Sequence, residues 1–320
     1  MHRGSDSCSA PLAVIDVGTN TLRLLIGCFS RGRLQRIAAE RAVTRLGRQL
    51  MATGLLDREG ALHSIATLLE FKAICKKKGV RRISALGTSA LREARDSGAF
   101  VNEVRERTGI SIEIISGERE AELTLKGIVN DYASTAGPAV VLDIGGGSTE
   151  WILYGEGSAR ESIPIGALKL HEQFITSDPP IAEDVERLKN YIDKFVIDSF
   201  LKYSRQKKSP LDPAAKRLIA TGGTATTVAA IDMALGVYDG ERVHLHTLFR
   251  PSVEAILRRL VLLPAKERAG TPGLEPERAE IIIPGLLILL AFMDALRIDS
   301  LVVSDHGLLE GALMELVENS

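Results

Sequence analysis

Two stretches of this chain nearly copy one another. Val14-Ile15-Asp16-Val17-Gly18 is echoed by Val141-Leu142-Asp143-Ile144-Gly145. Each copy closes an apolar run on Asp-x-Gly, passes through a turn containing Ser or Thr, and enters a second apolar run. Apolar runs separated by such turn residues predict a β-hairpin. A chain carrying this unit twice is constrained to build two similar lobes, each presenting a hairpin turn with a carboxylate beside it. The length of 320 residues suits two domains. The small residues 133–138 mark the junction, giving an N-terminal lobe over 11–133 and a C-terminal lobe over 137–320, whose last helix is free to pack back on the first lobe.

Strand and helix signals alternate along both halves, which makes the chain α/β. Strands are predicted at Leu12–Val17, Thr21–Phe29, Gln35–Val43, Val80–Leu86, Ile112–Ile115, Ala139–Asp143, Trp151–Tyr154, Glu161–Ile165, Arg217–Ala220 and Leu301–Val303. Helical spacing of apolar positions runs through 57–78 and, most strongly, Ile181–Phe200. Further helices are expected after Ser116, over 225–235, two or three within 251–297, and over Gly307–Val317, with a short one through Arg92 capped by Thr88 or Ser89.

Composition narrows the function classes. Lys and Arg number 40 against 41 Asp and Glu, a net charge of −1, so no basic field is available to hold a nucleic acid. Hydrophobic residues at 45% exclude a largely disordered chain. Met1–Pro11 lacks the apolar core of a signal peptide. The most apolar stretch, Ile281–Met293, is too short to span a bilayer and contains Pro284 and Gly285, so it reads as a buried helix. Cys8, Cys28 and Cys75 show no metal-binding spacing and point to a reducing compartment. The expectation is a soluble, cytoplasmic protein without membrane or nucleic-acid partners.

The strongest chemical signal is Asp143-Ile144-Gly145-Gly146-Gly147-Ser148-Thr149-Glu150. Three glycines after a strand cost conformational entropy, so the fold must need them. They allow a turn with φ > 0 whose amides face one way and bind phosphate, with Ser148 adding a hydroxyl donor. Asp143 and Glu150 flank the loop as candidate metal ligands. In the first copy Asp16 is a third candidate ligand, Gly18, Thr19 and Asn20 could meet a second phosphate, and Arg23 could pair with it. Arg92, close to a helix start, and Gly222-Gly223, between a strand and a helix, are further anion or nucleotide sites. Ser116-Gly117-Glu118-Arg119-Glu120-Ala121 opens a helix with carboxylates able to orient or deprotonate water, and the residues alone do not choose among Glu118, Glu120 and Glu122. His244-Leu245-His246 in a strand would place both rings on one face, but no third ligand suits zinc.

Taken together, Ala13–Arg23, Gly87–Ala94, Ile114–Ala121, Val141–Glu150, Ile219–Thr224 and Ser304–Gly311 resemble, in order, the motifs of the exopolyphosphatase / guanosine pentaphosphate phosphatase family. The resemblance implies a two-lobed actin- and hexokinase-like (ribonuclease H-like) fold with duplicated mixed sheets and an interlobe active-site cleft. It implies hydrolysis of a terminal phosphoanhydride with Mg²⁺ or Mn²⁺, with Glu120 as catalytic base. It places phosphate on Gly145, Gly146, Gly147, Ser148 and Arg92, and the metal by Asp143, with Glu150 closing the motif. The expected substrate is inorganic polyphosphate, with guanosine pentaphosphate as the alternative. A nucleotide- or alarmone-binding regulatory protein on the same fold is the rival from another class. The chain looks like a short form without extra C-terminal helical domains, so a long binding track would require a homodimer.

Overall fold

The computed structural model describes residue 8 and residues 10–30, 33–132, 138–155, 159–207 and 217–318. The expected junction at 133–138 falls almost wholly outside them. The chain divides into two compact units, Met1–Ile128 with Leu308–Ser320, and Val129–Gly307.

The first unit is built on a five-stranded sheet. Its strands are β1 (Leu12–Val17), β2 (Thr21–Ser30), β3 (Arg33–Val43), β4 (Arg82–Gly87) and β5 (Ile112–Ile114). Their order across the sheet is β3-β2-β1-β4-β5. The hairpins β1–β2 and β2–β3 are antiparallel, while β1–β4 and β4–β5 are parallel. A short helix α1 (Leu50–Thr53) follows β3, and α2 (Arg58–Lys77) provides the crossover to β4. Asp57 caps α2 by accepting the Gly60 amide at 2.7 Å, and Lys76 and Lys77 lie in its last turn, where the helix dipole favours cations. Ile65, Leu68, Phe71 and Cys75 form its buried face. Burial pushes the Cys75 thiol up to about 11. The helices α3 (Ser89–Glu93) and α4 (Ser97–Thr108) follow β4, and α5 (Gly117–Tyr132) follows β5.

The C-terminal helix over Leu308–Glu318 belongs to this unit and packs on β1 and β2. A Cβ on its Gly311 would fall on the Leu123 carbonyl of α5, so only glycine permits that approach. Arg36 with Glu310 at 2.7 Å, Arg119 with Glu315, and Lys126 with Glu318 are ion pairs tying the helix down.

The second unit repeats the plan on a six-stranded sheet. Its strands are β6 (Ala139–Ile144), β7 (Thr149–Tyr154), β8 (Ala159–Ile163), β9 (Arg217–Thr221), β10 (Thr247–Phe249) and β11 (Ser300–Val303), in the order β10-β11-β9-β6-β7-β8. Its helices are α6 (Ala167–Phe174), α7 (Ala182–Lys207), α8 (Gly222–Asp232), α9 (Gly240–Val243), α10 (Arg250–Val261), α11 (Ala265–Arg268) and α12 (Ile282–Leu296). The C-terminal helix over Leu308–Glu318 is α13. As the sequence predicts, the apolar stretch is a core helix: every residue from Ile282 to Met293 is buried. Gly285 allows α12 to pass close to the Thr224 side chain of α8. Among the described residues no helix is long and apolar enough to cross a membrane.

Several local expectations are corrected. Cys8 and Cys28 form a disulfide with Cα atoms 5.7 Å apart, so the three cysteines are not all free thiols. Cα proximity across a turn is what decides such pairing, and residue spacing cannot supply it. The Thr88 side chain makes no cap hydrogen bond, and the Ser89 hydroxyl donates to Glu93 at 2.8 Å instead. His244 and His246 are not in a strand. Leu245 has φ 67, which reverses the chain between them. His244 stacks on His306 with centroids 4.3 Å apart, and His246 meets Asp232 at 2.8 Å.

Candidate active site

In the first unit the candidate residues gather at one edge of the sheet. Val17, Gly87 and Ile114 are register partners across the parallel strands β1, β4 and β5, so the segments that follow them emerge side by side. Open α/β sheets place ligands at such carboxyl ends.

Asp16 stands directly opposite Arg23. Opposed residues of an antiparallel pair point to the same face. The guanidinium donates from Nε at 3.0 Å and from Nη2 at 2.7 Å, both to Asp16 Oδ2. Asp16 Oδ1 is buried and has no hydrogen-bond partner. A buried carboxylate oxygen left unpaired carries a desolvation cost that a cation would offset. The turn needs Gly18, because a Cβ there would sit 2.8 Å from the Thr21 carbonyl. Thr19 and Asn20 are buried, and their carbonyls accept the amides of Thr44, Arg45 and Gly47 at 2.8–3.1 Å. Their clearest role is thus to anchor the segment after β3.

Among the three glutamates at the start of α5, burial separates Glu120 from the rest. Glu118 and Glu122 are exposed, whereas Glu120 is 8% exposed. The Ser116 hydroxyl accepts the Arg119 amide at 3.1 Å, which starts the helix and sets the direction of Glu120. Arg92 Nη1 donates to Glu120 Oε2 at 2.6 Å and to the Ile115 carbonyl at 3.1 Å. Two residues assigned separate roles in the sequence therefore form one ion pair.

The second unit carries a row of four polar residues in register across β9, β6, β7 and β8: Thr221, Asp143, Glu150 and Ser162. Glu150 occupies the place in its hairpin that Arg23 holds in the first. Glu150 is 1% exposed, and its Oε1 accepts the Ser148 hydroxyl at 2.8 Å and the Ser162 hydroxyl at 2.6 Å.

The triglycine turn differs from its expected geometry. Among the described glycines, positive φ occurs at Gly222 (φ 81) near the site, and not at Gly145, Gly146 or Gly147. The turn needs small residues for close approach instead. The Gly145 amide donates to the Ser148 carbonyl at 3.0 Å. The Gly145 carbonyl accepts the Ala167 amide, and the Gly146 carbonyl accepts those of Leu168 and Lys169, at 2.9–3.1 Å. The glycine loop is thereby docked on the first turn of α6. A Cβ on Gly166 would coincide with the Gly146 and Gly147 backbone. Gly166→Val is expected to push the loop off α6. It should lower stability by roughly 1–3 kcal/mol, the cost of overpacking a tight site, and weaken phosphate binding. Urea unfolding and titration with inorganic phosphate check both.

Gly222 and Gly223 are the first residues of α8 and not a separate turn. A Cβ on Gly222 would fall on Asp143 Oδ1, and one on Gly223 on the Arg278 guanidinium. Arg278 is held by Glu275 at 2.5 Å. The sequence reading missed both residues, since no spacing connects them to Gly223. Nearby, the Thr221 hydroxyl donates to the His306 carbonyl at 2.9 Å, and the Asp305 amide donates to His244 Nδ1 at 3.3 Å. Tyr238 pairs with the Asp305 carboxylate. Loss of water around its hydroxyl, then that negative charge, pushes the phenol well above its usual range.

No group of three or more His, Cys, Asp or Glu side chains gathers to hold a metal among the described residues. A magnesium ion uses one or two protein carboxylates and completes its shell with water and substrate phosphate oxygens. In the first unit the unpaired Asp16 Oδ1, and in the second the buried carboxylate of Asp143, are each oxygen groups that suit a hard cation.

The model of the Ppx/GppA phosphatase family matches residues 26–320. The chain belongs to the Ppx/GppA phosphatase family. Exopolyphosphatase 2 of Mycobacterium tuberculosis is 30% identical, aligned over 95% of this chain and 98% of the relative. Exopolyphosphatase 1 of Mycobacterium bovis is 29% identical over 96% of this chain and 88% of the relative. Among solved structures, the Aquifex aeolicus Ppx/GppA family member superposes with TM-score 0.77 at 30% identity, covering 97% of this chain and 98% of that one. An exopolyphosphatase from Cytophaga hutchinsonii superposes with TM-score 0.87 at 25% identity, with coverage of 97% and 98%. The two mixed sheets are the actin-like, two-lobed α/β architecture of Ppx/GppA proteins.

Proposed function

We propose that this chain is an exopolyphosphatase, hydrolysing the terminal phosphoanhydride of inorganic polyphosphate to release orthophosphate. The observation that carries the reading is the pair of buried Glu120 with half-buried Arg92 at the carboxyl edge of the first sheet. It supplies an acceptor for a water proton beside a cation for a phosphoryl group. Full-length similarity to proteins named exopolyphosphatase supports the same reaction.

Phosphoryl transfer needs mainly positioning and charge stabilisation. In this reading Glu120 orients a water and accepts its proton as the water oxygen bonds to the terminal phosphorus. The bridging P–O bond breaks, and its electron pair leaves on the shortened chain. The first unit offers Arg92, Arg23 and the Gly18–Asn20 turn as phosphate contacts, and the second offers the amides around Gly145, Gly146, Gly147 and Ser148 and the α8 start at Gly222-Gly223. The candidate oxygen ligands for Mg²⁺ or Mn²⁺ are Asp143 in the second unit, with Glu150 opposite it, and Asp16 in the first. When bound, the ion supplies charge neutralisation for the phosphate oxygens.

The test is orthophosphate release from polyphosphate, guanosine pentaphosphate and ATP, assayed side by side with Mg²⁺. Fastest release from polyphosphate is expected. A kcat/KM higher for guanosine pentaphosphate would overturn the substrate assignment. Activity should vanish on dialysis against a chelator and return with Mg²⁺ or Mn²⁺, because the candidate ligands are all oxygens. Full activity in metal-free protein, or rescue by zinc alone, would remove the metal from the reading.

A further inference from the structure

We infer that Ser162, on β8, is a positioning residue that holds Glu150 and, through it, the Ser148 hydroxyl of the glycine loop. This rests on the reading of that loop as the phosphate site. Asp143 and Glu150 are directly opposed on β6 and β7, so both carboxylates project from the same face. Like charges in that arrangement repel, and in the first unit the same place is filled by an arginine. Glu150 is 1% exposed and cannot turn to bulk water to escape.

Ser162 is the residue directly opposite Glu150 on the next strand. Its hydroxyl donates to Oε1 at 2.6 Å, and the Ser148 hydroxyl donates to the same atom at 2.8 Å. A carboxylate offers only acceptors, so each hydroxyl proton is committed to Glu150. Two donors on one oxygen fix the Glu150 rotamer and draw its charge away from Asp143. Ser148, last residue of the turn, is then held in one rotamer with its proton turned inward. The phosphate is then met by the loop amides. Glu150 thereby acts on the loop.

Ser162→Ala removes one charge-assisted hydrogen bond without touching the loop. The expected result is an affinity for inorganic phosphate, titrated on metal-free protein, about tenfold weaker, the equivalent of one such bond. Ser162→Thr, which keeps the hydroxyl and suits a strand, restores it. In the polyphosphate assay KM should rise about as much in Ser162→Ala, with rescue again by Ser162→Thr. Unchanged phosphate affinity in Ser162→Ala, or no rescue by Ser162→Thr, would overturn the inference. Wild-type protein that hydrolyses polyphosphate but binds no inorganic phosphate at the loop would sink it too. Phosphate binding sensitive to Ser162 in a protein that hydrolyses no polyphosphate would leave the inference standing and refute the exopolyphosphatase reading.

Discussion

Glu120→Gln is expected to lower kcat for orthophosphate release by roughly 10²–10⁴-fold, the usual contribution of a general base. The substitution is nearly isosteric, and Arg92 keeps its bond to the Ile115 carbonyl. Folding should therefore survive, with a circular dichroism spectrum like that of wild type. Glu118→Gln and Glu122→Gln change exposed groups and should stay near the wild-type rate. If Glu120→Gln retained a rate within about tenfold of wild type while one of the neighbouring variants lost it, another glutamate would be the base.

Gly222→Ala should be damaging for two separate reasons. Its φ of 81 lies in the left-handed region, which costs an L-residue about 1–2 kcal/mol. The new Cβ would also fall on Asp143 Oδ1 and sit 3.0 Å from the Ile144 carbonyl, so Asp143 must leave its place. A lower midpoint in urea is expected, together with a loss of kcat on the order of 10²-fold, as for a misplaced reacting group. Gly223→Ala is the control. Its Cβ would meet the far end of the Arg278 side chain, which can swing aside, and Gly223 has no positive φ. Its stability should stay close to wild type. Equal stability losses in the two variants would show that backbone conformation and the Asp143 contact are not what Gly222 provides.

Local pattern was enough for much of this protein. The Asp-x-Gly repeat implied two hairpins, and both sheets contain one in which the opposed residues, Asp16 with Arg23 and Asp143 with Glu150, are equivalent. Helical spacing of apolar residues implied α2 and α7, and the run Ile281–Met293 implied a core helix, because burial of apolar surface leaves its period in the chain. The α4 helix over Ser97–Thr108 is not among the expected helices, since only Phe100, Val104 and Thr108 of its residues are buried. Other features depend on which residues meet in space. Glu120 differs from Glu118 only by the face of α5 on which it falls and by an arginine delivered from the end of β4. Ser162 joins the site through strand register, which one position of slip would abolish. The strained glycine is Gly222 because Asp143 lies against it, while the triglycine turn is shaped by the helix that accepts it. Hydrogen bonds, ion pairs and backbone strain are short-ranged in space and indifferent to distance along the chain. The sequence by itself therefore determined most of the strands, the long helices and the residue types of the candidate site, and only the tertiary structure decided which of those residues act on one another.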